Sequence, residues 1–327
     1  MRLLSLLAGA LLLLYPATPR AQTVWDMPTE YPENAMPGLG LTTFAKHVAE
    51  TSAGKLQIRP SFDATAGIKS AGMLTAIADG RVQAGDAFAG SLESEGAIFA
   101  LPSLPFLVTS TADAKRLADI ARPYLAAALQ KKGLRLLYLT PWPPSGIWSK
   151  TPLKTASDLS GLSIRTYDKT STEVFAGAGA KAASISFADT MPKLVDGSIN
   201  AVLSSGDGGA GRKLWEYLPY FSEITYSLPL SVASVNQAVY DGLSGDLREA
   251  VDAASRQTER ELWLALSTRL QENYQRMRQN GVTIDSSPAP SIAEALQSGA
   301  AAVQRAWCVR SGPACVPILD AFRARKP

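Results

Sequence analysis

The 327-residue sequence predicts an α/β protein of two lobes, joined by crossing strands and followed by one long helix. Short β-type runs alternate with helical patterns along the chain, the rhythm of a sheet carrying helices on its faces. A segment rich in Pro and Trp, Pro141 to Trp148, interrupts that rhythm with residues that fix the backbone, as a stretch passing between lobes would. Gly245 to Gln279 then carries a single long helical pattern. Hydrophobic residues at 46% and charged residues at 19% suit a globular chain and exclude disorder.

The first twenty-one residues read as an address. Arg2 supplies a positive end, Leu3 to Leu14 is an apolar run of twelve, Pro16 breaks it and small residues lead to Ala21. Twelve residues fall short of the roughly 20 that a spanning helix needs. The expectation is a signal peptide over 1–21, cleaved after Ala21, and an exported, soluble mature chain. No cysteine follows the apolar run, so no lipid anchor is expected.

The first lobe opens with a strand at Thr23 to Met27 and a Pro/Asn loop at Tyr31 to Pro37. Leu41, Phe44, Ala45, Val48 and Ala49 fall at helical spacing within 38–52, and Gly54 closes that helix. A strand at Leu56 to Pro60, a helix at Ala71 to Asp79 closed by Gly80, and a strand at Val82 to Phe88 follow. Leu101 to Val108 is an apolar loop, Ala112 to Lys132 a long helix ending at Gly133, and Leu134 to Tyr138 a buried-type strand. Beyond the crossing segment the pattern predicts strands at Gly161 to Arg165, Ser184 to Phe187, Asn200 to Ser204 and Leu228 to Asn236. Helices are expected at Ser171 to Gly177 and Ala188 to Asp196. The expected division is 22–142 plus about 231–270 for lobe I, and 143–230 plus about 271–327 for lobe II. A cleft between such lobes is where a small ligand binds.

Composition excludes several functions. There are 32 Lys+Arg against 29 Asp+Glu, a net charge of +3; without Arg2 and Arg20 the mature chain carries +1. That leaves no clustered basic excess for nucleic acid. His47 is the single histidine, so a multi-histidine metal site or a two-histidine acid/base mechanism cannot be built. Gly206-Asp-Gly-Gly-Ala-Gly211 matches the dinucleotide pattern, but Asp207 would face the phosphates; it reads as a flexible turn lining the cleft. Ser52-Ala-Gly-Lys55 reads as a helix end and not as the nucleophile of a penicillin-recognising enzyme. No catalytic residue, metal or cofactor is expected. Cys308 and Cys315, with six residues between them that include Gly312-Pro313, are expected to form a disulfide in an oxidising compartment.

Phe99 and Phe106 read as packing, Trp263 as core, and the run Trp215 to Phe221 is undecided between surface patch and buried face. Trp142 and Trp148 lie in the crossing segment, where Trp148 is a candidate to face the cleft. Arg165 ends an apolar strand with a planar fork of donors that matches a carboxylate. Lys150 and Arg212 sit in segments that read as exposed.

Several motifs in order carry a resemblance. Leu101-Pro-Ser-Leu-Pro-Phe106 comes first, then Pro152, Asp158, Gly161 and Arg165 at their spacing. Phe175-Ala-Gly-Ala-Gly-Ala, Ile185-Ser-Phe187 and Leu194-Val-Asp-Gly-Ser-Ile-Asn-Ala201 complete the set. From about Val24 to Gln279 the chain resembles the DctP-like substrate-binding proteins of tripartite ATP-independent periplasmic (TRAP) transporters. The resemblance implies a two-lobed, periplasmic-binding-protein-like clam that closes on a small organic acid and delivers it to integral membrane subunits. It implies that Arg165 clamps the carboxylate, that Phe88 and Phe187 contact the ligand's body, and that Asp168 is a polar neighbour. Trp148, Ser204 and Asn236 complete the candidate ligand set. Two departures remove polar contacts: Ser145-Gly-Ile-Trp148 stands where sialic-acid-type members carry a further arginine, and Val202-Leu-Ser204 where many have Gln-Glu-Asn. With one identifiable cleft arginine, a monocarboxylate is favoured over a dicarboxylate or sugar acid. An exported enzyme acting on a small acid, and the binding protein of an ATP-driven importer, remain the alternatives.

Overall fold

The computed structural model describes residues 22–324; the expected signal peptide lies outside the described residues. In chain order, β1 (Thr23–Pro28), α1 (Met36–Thr51), β2 (Leu56–Ser61), α2 (Ser70–Ala78), β3 (Ala84–Phe88), α3 (Thr111–Gln130) and β4 (Leu134–Pro141) build the first lobe. β5 (Ser145–Ser149), β6 (Ser163–Thr166), α4 (Lys169–Gly177), β7 (Lys181–Ser184), α5 (Phe187–Val195), β8 (Ala201–Ser205), α6 (Gly206–Gly211) and β9 (Tyr220–Ser222) build the second. The chain returns through β10 (Leu230–Asn236), α7 (Gln237–Asp241), α8 (Gly245–Gln279), β11 (Thr283–Asp285), α9 (Pro290–Ser311) and α10 (Cys315–Ala324).

β1 pairs in parallel with β2, and β10 lies antiparallel between β3 and β4. A six-stranded sheet of order β11-β9-β5-β8-β6-β7 forms the second lobe. Two segments cross between the sheets side by side: Trp142 N–H donates to Pro229 O at 3.0 Å, and Ser145 N–H to Ser227 O at 2.8 Å. α8 spans both lobes. Leu262 and Leu266 pack with α1 residues in the first core, and Tyr274 and Met277 pack with Phe221 in the second.

Helix starts are set by local chemistry. Ser110 accepts from Asp113 N–H to begin α3, and Asp168 from Ser171 N–H to begin α4, each satisfying a donor that the helix leaves orphaned. Ser186 caps α5 in the same way, so the expected strand over 184–187 is corrected. β7 ends at Ser184 and Phe187 is the first residue of a helix; Ser-Ile-Ser-Phe alternates like a strand, but Ser186 turns the chain. The Gly206–Gly211 run is a helical turn and not a flexible loop: Ser205 caps it, accepting from Gly208 N–H at 3.1 Å. Asp207, buried, binds Met36 N–H at 2.7 Å, Asn273 at 2.8 Å and the Arg269 guanidinium at 3.0 Å, tying α6 to α1 and α8.

The tail departs from the expected division. Cys308 and Cys315 form the disulfide, but the residues around it do not stay on the second lobe. Ile292, Leu296 and Val303 of α9 pack in the second lobe's core, whereas Trp307, Cys315, Ile318 and Phe322 join the core under α3. α9 is thus a strap across the lobes and α10 belongs to the first. Among the described residues no helix is long and apolar enough to cross a membrane.

Candidate functional site

A tight pocket, with a cavity volume of about 20 Å³, lies where the crossing segments meet the ends of β3, β6 and β8. The first lobe supplies Tyr31 and Phe88, the crossings Trp142, Ser145 and Pro229, and the second lobe Arg165, Tyr167, Phe187, Ser204 and Ser205. Half of the lining residues are aromatic. The Tyr31 ring stacks on Phe187 at 5.2 Å and meets Trp142 edge-on at 4.7 Å. Phe88 lies 5.0 Å from Tyr167. The indole N–H of Trp142 donates to Ser231 Oγ at 3.0 Å, and the Tyr167 hydroxyl shares a hydrogen bond with Ser227 at 2.7 Å, so both rings are fixed. Burial pushes the Tyr167 phenol well above its ordinary range.

Arg165 is the buried cation of this wall, 3% exposed. It sits in β6 opposite Ala183 of β7 and Val202 of β8. Nε donates to Ile185 O at 2.8 Å and Nη1 to Leu203 O at 3.0 Å, which fixes the plane of the fork with backbone carbonyls. The carboxylates that act on it, Glu30 and Asp168, do so only through space, and burial lowers its pKa. Its guanidinium lies 5.3 Å from the Phe187 ring centroid, and that of Arg212 lies 5.4 Å from the same centroid. Arg212 is only 17% exposed, against expectation, and is held by Asp63 at 3.1 Å; Lys150 is exposed.

Phe88, Arg165, Phe187 and Ser204 therefore come together around one space. Three other candidates do not line it. Trp148 is fully buried on the far side of the sheet, its N–H on Ser205 O at 3.2 Å and its ring against Phe221 at 5.2 Å. Trp142, six residues earlier, lines the pocket instead. Asp168 is the cap of α4, and its carboxyl faces Gly90 and Ser103 of the first lobe; burial pushes its pKa up to about 6 against the Ser171 hydrogen bonds. Asn236 caps α7 and donates to Ile77 O at 3.0 Å, a purely structural placement. Sequence reasoning missed Tyr31 and Tyr167. Tyr31 lies in a Pro/Asn loop with no periodicity to read, whereas Tyr167 follows Arg165 by two residues and could have been taken with it.

The lobes meet through paired polar groups beside the pocket. Glu30 receives N–H groups from α2 and α5, Lys69 meets Asp189 at 2.7 Å, and Arg212 reaches Glu30 O at 3.3 Å.

Known proteins share this fold. The sequence matches the DctP family, described as bacterial extracellular solute-binding protein, family 7, over residues 27–308. Bordetella pertussis DctP7, an extracytoplasmic solute receptor binding pyroglutamic acid, superposes with a TM-score of 0.88. It is 28% identical, over 92% of this chain and 99% of that one. A marine metagenome TRAP solute-binding protein specific for pyroglutamate, containing co-purified pyroglutamate, also gives 0.88. There the identity is 26%, over 93% and 99%. The 2,3-diketo-L-gulonate-binding periplasmic protein YiaO of Escherichia coli K12 is 26% identical over 215 residues, and the match spans 64% of its length. Matched over most of its length and sharing the two lobes of TRAP solute receptors, the chain belongs to the DctP family of bacterial extracellular solute-binding proteins.

Proposed function

We propose that the protein captures a small monocarboxylate with a flat or ring-shaped body in the periplasm, and delivers it to the membrane subunits of a TRAP transporter. The observation that carries this reading is the Arg165 guanidinium, buried in the pocket wall and bonded to carbonyl oxygens without a carboxylate partner. A buried cation of this kind is compensated when an anion enters. Phe88, Phe187 and Ser204, with Tyr31 and Trp142, then contact the rest of the ligand. The aromatic wall offers flat faces that suit a compact ring. Arg212, the other cation on the Phe187 ring, is engaged by Asp63, so a second carboxylate would lack a partner. Two of the similar solved receptors bind pyroglutamate, a cyclic monocarboxylate. The two lobes hinge at the crossings, with α9 strapped across them and α10 on the first. The protein is a carrier without turnover.

Calorimetry with L-pyroglutamate, succinate and malate tests the ligand class, and mass analysis of the mixtures tests turnover. Succinate or malate binding tenfold tighter than every monocarboxylate overturns the ligand class. Conversion of the acid would make the protein an exported enzyme.

A further inference from the structure

Asp86 is fully buried in β3, two residues before Phe88 and on the same face of the strand. Its Oδ1 accepts from the Thr29 hydroxyl at 3.1 Å, and that hydroxyl oxygen accepts from Tyr31 N–H at 3.4 Å. Asp86 thus reaches the pocket wall through two hydrogen bonds. Its Oδ2 has no partner, nor have the buried hydroxyls of Tyr138 and Thr140 on the same sheet face. The register places them together: Ala233 of β10 lies opposite both Asp86 and Tyr138, and Ser231 opposite both Phe88 and Thr140. The titratable groups facing Asp86 are Tyr31 from the β1–α1 connection and Tyr138 from β4, with Glu30 beside the former. β10 offers Ala233 and Ser231; α1 and α8 bring Gly40 and Leu262 against the β4 side chains; the α1 histidine, His47, is engaged by Glu261 of α8. None of these is a cation paired with Asp86.

We propose that Asp86 is a positioning residue for the ligand pocket: a carboxyl that, in its neutral form, holds Tyr31 through Thr29, and whose ionisation weakens the binding of an anion. This rests on the reading of the pocket as a carboxylate site. A carboxylate buried without a cation is strongly disfavoured, and burial pushes the Asp86 pKa up to about 7, with the Thr29 hydrogen bond opposing. A ligand anion entering beside Tyr31 adds like-charge repulsion to an ionised Asp86, so binding takes up a proton.

Two measurements test this. Calorimetry with L-pyroglutamate from pH 6 to 8.5 is expected to show wild-type affinity falling about tenfold, the change that a one-unit rise in the carboxyl's pKa on binding produces. Asp86→Asn, which keeps an acceptor for Thr29, is expected to bind with no such slope, and Asp86→Ala to bind more weakly at every pH. Without ligand, the Tyr31 amide resonance in a nitrogen–proton correlation spectrum is expected to titrate with a midpoint near 7 in the wild type and to stay fixed in Asp86→Asn. An equal slope in wild type and Asp86→Asn, or a Tyr31 amide that does not titrate, overturns the proposal. If pyroglutamate fails to bind at any pH while the amide titrates as expected, the ligand reading falls and the link from Asp86 to Tyr31 stands.

Discussion

The Glu30 carboxylate accepts the backbone N–H of Ala188 from the opposite lobe at 2.9 Å, and its other oxygen accepts Ser70 N–H at 2.8 Å. One buried side chain therefore meets the first turns of α2 and α5, where N–H groups have no partner within their own helices. Charge-assisted bonds of this kind are worth about 1.5–3 kcal/mol each. Since the second bond exists only while the lobes are together, Glu30 stabilises the closed form over the open one. Glu30→Ala is expected to weaken ligand binding about tenfold or more by calorimetry. Small-angle scattering at saturating ligand should give a larger radius of gyration than the wild type.

Arg165 offers the direct test of the pocket. Truncating one member of a buried charge pair costs about 2–5 kcal/mol, so Arg165→Ala should lower affinity at least tenfold while the circular dichroism spectrum is retained. Arg165→Lys should recover little of it, because an ammonium cannot bond Ile185 O, Leu203 O and a ligand in one plane. Unchanged affinity in the alanine variant would remove Arg165 from the site.

Gly209 tests the packing that places Trp148 away from the ligand. A Cβ there would fall inside the Trp148 indole, which is fully buried against Phe221 and bonded to Ser205 O. Overpacking of a dense core costs about 1–3 kcal/mol. Gly209→Ala should lower the unfolding free energy from chemical denaturation by that amount, and Trp148→Phe combined with it should restore part of the loss.

Asp168 makes stability depend on pH. Its folded pKa, about 6, stands above the ordinary 3.8 of an aspartate, so the native state keeps a proton that the unfolded chain has lost. Stability should fall as pH rises from about 4 to about 6 and level off above. Asn caps helices as well as Asp does, so Asp168→Asn should be more stable than the wild type at pH 7 and lose that advantage near pH 4. Parallel denaturation curves of the two proteins at both pH values check this.

The disulfide should matter for the tail and not for the pocket. Closing so short a loop contributes roughly 2–3 kcal/mol in the chain-entropy model. Replacing both Cys308 and Cys315 by Ser should speed hydrogen exchange in α10, where Ile318 and Phe322 hold it to the first lobe's core, and leave ligand affinity as it was.

What the sequence determined by itself was whatever depends on near neighbours in the chain. Helical spacing and a glycine stop placed α1 and α2, Gly133 marked the end of α3, and turn residues around two cysteines placed the disulfide. Arg165 was legible because a guanidinium at the end of an apolar strand is costly without a purpose, and the ordered motifs around it resemble one family. Tertiary structure decided which side chains share the pocket. Trp142 and Trp148 belong to one short segment, yet one lines the pocket and the other packs against Phe221 in the second lobe's core. Tyr31 reaches Phe187 from more than 150 positions away, through a loop without periodicity. Local alternation in Ser-Ile-Ser-Phe imitated a strand until Ser186 found Asp189 N–H to cap. The tail was divided between the lobes by Trp307 and Ile318, whose apolar faces found the core under α3. Short-range propensity fixes elements, whereas which of their faces meet is a property of the packed whole that no window of sequence contains.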